Sequence, residues 1–239
     1  MCTVSIFIKN NEVIITSNRD EQASRPLALA PKKENYNNKN ILFPKDQKGG
    51  GTWFATDETG NVVVLLNGAF EQYIPEKIYR KSRGLIVMEI ISHKNPIAFV
   101  EEIDLENIAP FTIIIWTNTQ KLYEFIWDGL KKLIQILSKE KAHIYSSVTL
   151  YDEKARTLRK EWFESFIQKN KNLTPDLIRN FHTYTNKNDK ENGLIINRDE
   201  KVKTYSVTQV IVNETITSML HHDLLLKKQY YEEFKTIFS

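Results

Sequence analysis

The chain has 239 residues, 41% hydrophobic and 26% charged, with 33 Lys and Arg against 30 Asp and Glu for a formal charge of +3. These values exclude a largely disordered chain and suit a single domain, 1–239, with a sizeable core. The single cysteine excludes a disulfide framework, and a charge so small and scattered gives no reason to expect nucleic acid as a partner.

The first residues alternate, with Thr3, Ser5 and Phe7 on one face and Val4, Ile6 and Ile8 on the other. Asn10-Asn11 follows, then a β-rich run from Val13 to Ser17, which together predict a hairpin with a tight turn. Residues 20–50 are polar, carry Pro26, Pro31 and Pro44 and an Asn-rich patch at 35–40, and read as a long loop over a site. Gly49-Gly50-Gly51 leads into a second hairpin, 52–56 and 62–66. Ser82 to His93 has helical spacing, and Asn95-Pro96 opens a second helix to about Ile103. A third hairpin is expected at 111–117 and 122–127. Asp152 to Gln168 is amphipathic, Thr174-Pro175 opens a short helix, and 204–212 with 215–220 form a last hairpin. The tail from Leu224 carries no clear pattern. This order predicts an α+β fold, a layered sandwich of antiparallel sheets with helices outside.

No run approaches ~20 apolar residues, so no transmembrane segment is expected. The start, MCTVSIFIKNNE, lacks the basic region and long apolar run of a signal peptide. The expected compartment is the cytoplasm. Dinucleotide, P-loop and zinc-protease motifs are absent. His221-His222 read as paired surface histidines rather than as metal or haem ligands, and Trp53, Trp116, Trp127 and Trp162 as core. Arg80, Lys81 and Arg83 precede a helix, either as a solvated basic turn or as a place for an anion.

Cys2 is the first candidate for chemistry. Loss of Met1 would leave it with both a thiol and a free α-amine, whose ordinary pKa of about 7.7–8.0 suits a general base. The alternative is a small buried apolar side chain. With Asn10-Asn11 as the turn, Lys9 faces Glu12, Ile8 faces Val13, and the same register sets Cys2 opposite Arg19. Directly opposed residues hold their Cβ atoms ~4.5–5.5 Å apart, so a guanidinium would lie beside the thiol or a substrate carbonyl. Asp20 would hold either the amine or the arginine.

Met1-Cys2-Thr3, the tetrad Asn18-Arg19-Asp20-Glu21, Arg25-Pro26, Gly50-Gly51-Thr52-Trp53 and Asn67 occur here in an order that resembles the NRDE family, also called the transport and Golgi organization protein 2 family. That family in turn resembles cysteine N-terminal nucleophile hydrolases of the penicillin V acylase and bile salt hydrolase type. The resemblance implies a four-layer αββα sandwich and an amidase acting on a linear, non-peptide carbon–nitrogen bond of a small-molecule amide or acyl substrate. Cys2 would be the nucleophile, Arg19 and Asp20 its partners, with Asn18 beside them, and Asn67 the oxyanion donor, without metal or cofactor. Two positions depart from the pattern: Ser147 stands where many relatives have Asn, and Tyr205 where many have Arg. Arg198, in a second Asn-Arg-Asp-Glu tetrad at 197–200, would substitute for the missing arginine or serve as a charged turn. The alternative implied by the family is a non-catalytic carrier for a hydrophobic ligand, haem or an acyl lipid or thioester.

Overall fold

A computed structural model describes residues 3–236. β1 (Thr3–Lys9) and β2 (Glu12–Gln22) form the expected hairpin. Asn10 and Asn11 turn it with φ of 50° and 62°, the left-handed pair that matches strand twist in a two-residue turn. Pairing runs unbroken from Lys9 opposite Glu12 to Thr3 opposite Asn18, the register read from the sequence. β2 is longer than expected and contains the whole Asn18–Glu21 tetrad.

The 20–50 stretch is not a long loop. It holds β3 (Leu29–Tyr36) and β4 (Lys39–Lys45), joined by Asn37 and Asn38 at φ 51° and 62°, the same turn chemistry as at Asn10-Asn11. β5 (Phe54–Asp57) and β6 (Val62–Asn67) follow as expected. α1 (Arg83–Ser92) and α2 (Pro96–Glu102) come next, and the Asn95 side chain accepts from the Ile97 and Ala98 amides at the start of α2. β7 (Phe111–Thr117) and β8 (Lys121–Trp127) match the third hairpin. β9 (Lys132–Leu137) and β10 (His143–Ser146) extend the sheets beyond what was expected. α3 (Glu153–Lys169) starts at an Asp152 cap and α4 (Pro175–Tyr184) at a Thr174 cap. A short β11 (Asn197–Arg198), β12 (Val202–Val212), β13 (Ile216–Asp223) and β14 (Lys228–Lys235) complete the order, β14 taking the unassigned tail.

The strands form two antiparallel sheets, one ordered β10-β1-β2-β12-β13-β14 with β11 on β12, the other β3 through β9 in sequence order. Val4, Ile6, Val13, Ile15, Trp53 and Val64 meet between the sheets. On the far face of the second sheet, Ile86, Ile90 and Ile91 of α1 bury against Val63, Leu65 and Ile113. On the far face of the first, Phe163 of α3 and Phe181 of α4 pack with Leu194 and Ile144. Each such side chain removed from water contributes roughly 1.5–3 kcal/mol. The layers are therefore helix, sheet, sheet, helix, as expected. Among the described residues no helix is long and apolar enough to cross a membrane.

Candidate active site

Side chains alternate along a strand. Val13 and Ile15 face the inter-sheet core, so Arg19 and Glu21 share that face while Asn18 and Asp20 lie on the other. Arg19 is only 1% exposed. Its guanidinium lies 4.8 Å from the centre of the Trp53 ring and 5.5 Å from that of Tyr205. Nη2 donates to Asp46 Oδ2 at 2.7 Å and sits 3.5 Å from Glu21 Oε2. Asp46 also accepts Arg25 Nε and Nη2, both at 2.9 Å, and the Gly49 amide at 2.6 Å. Burial works against the Asp46 charge, but these hydrogen bonds and the two guanidinium charges outweigh it and hold its pKa below the ordinary value. Asp20 therefore does not pair with Arg19. Neighbours along a strand point to opposite faces, and the acid that holds Arg19 is Asp46, which the sequence reading missed. Its only signal is its place shortly before the triple glycine, with Gln47 and Lys48 between.

Tyr205 reaches this face through a β-bulge. Thr204 pairs with Asp20 and Ser206 with Arg19, leaving Tyr205 as the extra residue. Its hydroxyl donates to the Gln22 carbonyl at 3.0 Å. The Gly-Gly-Thr-Trp element docks α1: a Cβ on Gly51 would lie 2.2 Å from the Gly84 carbonyl carbon. Only glycine permits this approach, which sets Trp53 beside the start of α1.

The opposite face of β2 is a closed polar network. Asp20 accepts the Tyr151 hydroxyl at 2.6 Å and the Thr204 hydroxyl at 2.5 Å. Asn18 Nδ2 donates to the His182 and Leu194 carbonyls at 3.0 and 2.8 Å, and its Oδ1 meets His182 Nδ1. An amide oxygen only accepts, so Nδ1 carries the proton and Nε2 accepts from the Ser5 hydroxyl at 2.6 Å. Burial, then the Arg159 charge, push the His182 pKa down to about 3. Arg159 itself lies 3.5 Å from the Tyr151 ring centre and binds Thr3 Oγ1 and the Gly193 carbonyl. Asn18 thus ties α4 to the sheet. Arg198 does not reach Arg19: it donates to the Leu150 and Glu191 carbonyls and lies 5.0 Å from the Tyr151 ring centre.

Two cavities open at this end of the sandwich. The larger, about 530 Å³, is lined by Arg19, Trp53, Asn67, Tyr73 and Arg83 among others. The second, about 280 Å³, is lined by Asn67, Phe70, Glu124, Tyr145 and Ser147 among others. Asn67 belongs to both. Ser147 Oγ donates to the Asn67 carbonyl at 2.7 Å, so these two sequence candidates come together. Gly68 has φ +84°, and a Cβ there would lie 2.4 Å from Val148 Cγ2, which explains why glycine follows Asn67 against this turn. Cys2 lies outside the described residues, immediately before Thr3.

Among the described residues no cluster of His, Cys, Asp and Glu is arranged to hold a metal. His221 is not a surface histidine. It is 2% exposed, its Nδ1 lies 2.7 Å from Thr208 Oγ1, and burial, then the Arg19 and His222 charges, lower its pKa to about 4.

Solved structures share this fold. Penicillin V acylase from Agrobacterium tumefaciens matches with a TM-score of 0.56 at 9% identity, over 96% of this chain and 85% of that one. The Caenorhabditis elegans N-acylethanolamine-hydrolyzing acid amidase ortholog gives 0.58 at 11%, over 88% and 92%. A conjugated bile acid hydrolase from Clostridium perfringens gives 0.56 at 12%, over 100% and 98%. The fold is that of the N-terminal nucleophile hydrolases. Residues 1–236 match the Transport and Golgi organisation 2 family, and the chain belongs to it. No curated protein matches the chain.

Proposed function

We propose that the protein is an N-terminal cysteine amidohydrolase cleaving a linear, non-peptide carbon–nitrogen bond. The observation that carries this is the β1–β2 register. It holds down to Thr3 opposite Asn18, and the proposal continues it by one step, which would oppose Cys2 to Arg19; Arg19 lines the same cavity as Asn67.

In the proposed reaction Met1 is removed, and the Cys2 sulfur attacks the substrate carbonyl carbon while its proton passes to the α-amine. The Asn67 amide and backbone N–H groups hold the oxyanion, a contribution worth roughly 2.7–4 kcal/mol for one donor in comparable sites. The tetrahedral adduct collapses, the carbon–nitrogen bond breaks, and the ammonium returns its proton to the leaving amine. Water then attacks the thioester with the amine again as base, releasing the carboxylic acid and the thiol. Arg19, itself fixed by Asp46, favours the thiolate, and Asp20 holds the ammonium from the other face of β2.

Intact-mass measurement of the native chain should find Met1 absent. Arg19→Ala should slow alkylation of Cys2 near neutral pH, because less thiolate is present. Retained Met1, or an alkylation profile unchanged by Arg19→Ala, would contradict the mechanism.

One observation favours a second reading, a carrier for a hydrophobic ligand such as haem or an acyl lipid. The single hydroxyl proton of Ser147 is directed at the Asn67 carbonyl, so it is not offered to an oxyanion. A carrier should bind haem or an acyl thioester in the micromolar range with Cys2→Ala changing affinity only a few-fold, and should turn over no acyl amide.

A further inference from the structure

The larger cavity holds donors without acceptors. Arg19 Nη1 and Trp53 Nε1 are buried and have no hydrogen-bond partner among the described residues, and both residues line it. An unpaired buried donor is costly, so a fold that retains two side by side leaves room for an acceptor brought from outside. The charges agree. Arg19, Arg25, Lys81 and Arg83 line the cavity against only two lining carboxylates, Glu21 and Asp46. Asp46 is already shared by Arg19 and Arg25, and Lys81 pairs with Glu89.

Arg83 is the exception. It donates to the Tyr73 hydroxyl at 3.1 Å and the Pro110 carbonyl at 2.9 Å but has no carboxylate ion pair among the described residues. It opens α1, whose first turn has no acidic residue and no side-chain cap; the Ser82 hydroxyl donates to the Gly49 carbonyl at 3.3 Å. The Thr52 amide donates to the Gly84 carbonyl at 3.2 Å, which joins the Trp53 and Arg83 segments.

We propose that this cavity recognises an oxyanion group, carboxylate or phosphate, carried by the substrate, with Arg83 and the free donors of Arg19 and Trp53 as its ligands. The substrate is then an anionic acyl amide: its carbonyl reaches Asn67 and its anion lies against the start of α1. Arg83 is the specificity-determining residue, since Arg19 and Arg25 share an internal carboxylate.

This rests on the cavity being the substrate site, and binding to the full-length Cys2→Ala chain tests it without turnover. N-octanoylglycine should bind at least about tenfold tighter than its uncharged methyl ester. Arg83→Gln should bring the two within about twofold, and Arg83→Lys, which keeps the charge, should retain most of the preference. Inorganic phosphate should displace the acid only weakly. Equal affinity for acid and ester, no binding of either, a preference that survives Arg83→Gln, or phosphate binding as tightly as the acid would each overturn the proposal. Turnover is scored separately on the wild-type chain. Hydrolysis without a preference for the acid would overturn the anion site alone, and a preference without hydrolysis would overturn the amidohydrolase alone.

Discussion

The two faces of β2 carry equally polar residues in opposite states. Towards α3 and α4, Asn18, Asp20, His182, Tyr151 and Arg159 belong to one buried network of hydrogen bonds and ring contacts. Towards the other sheet, Arg19 and Trp53 keep buried donors without partners among the described residues, beside a cavity. Buried polar groups are costly unless paired, so the first face holds the strand in place, and the second carries the open donors on which the proposed ligand site rests. A single strand supplies both because successive side chains diverge.

The largest expected effect breaks the closed face. Asn18→Ala strips partners from the His182 and Leu194 carbonyls and from the His182 ring. Each orphaned group costs about 1–3 kcal/mol, so stability should fall by about 3 kcal/mol or more, read as a lower urea midpoint with an unchanged slope. A loss under about 1 kcal/mol would mean the network is not closed as described.

Acid should attack both faces, through His182 on the closed one and through His221, whose ring centre lies 6.2 Å from that of Trp53, on the other. His182 and His221 titrate at about 3 and about 4 in the fold against 6.5 ordinarily. Between those values the unfolded chain binds protons that the fold refuses, so stability is complete above the ordinary value and falls as pH drops through the window. From about pH 6.5 to about pH 4.5 the folding equilibrium should weaken by more than tenfold. A urea midpoint that stays flat across that range would contradict the buried neutral histidines.

Ser147→Asn sharpens the contrast on the open side. It replaces a hydroxyl already directed at the Asn67 carbonyl with an amide that has two donor hydrogens. If turnover uses an oxyanion there, kcat should rise about tenfold with KM little changed. No change in kcat would place the oxyanion elsewhere.

Much of this was legible in the sequence, and the failures have a pattern. Asn10-Asn11 set the first register because only a left-handed pair closes so short a turn. Asn95-Pro96, Asp152 and Thr174-Pro175 marked helix starts through capping chemistry. The strands missed include every sheet edge: β3, β9, β10 and β14. An edge strand buries little of either face, as in β9 and β14, so neither alternation nor an apolar run announces it. β4 was hidden by Pro44, although it lies beside that edge. At the site, Arg19 and Asn67 were readable from local pattern and resemblance. Asp46 was not, because its partners at 19 and 25 are brought to it only by the β3–β4 hairpin. The bulge that aims Tyr205 at Arg19 left no mark in composition either.

Whether Cys2 forms the proposed acyl-enzyme at the open face is decided by peptide mass spectrometry after incubation with an electrophilic lactone or activated amide. One acyl group is expected on an N-terminal Cys2, lost in Cys2→Ala and formed more slowly in Arg19→Ala. An unmodified Cys2 in wild-type protein that still binds the probe would contradict it and leave the cavity as a carrier's pocket.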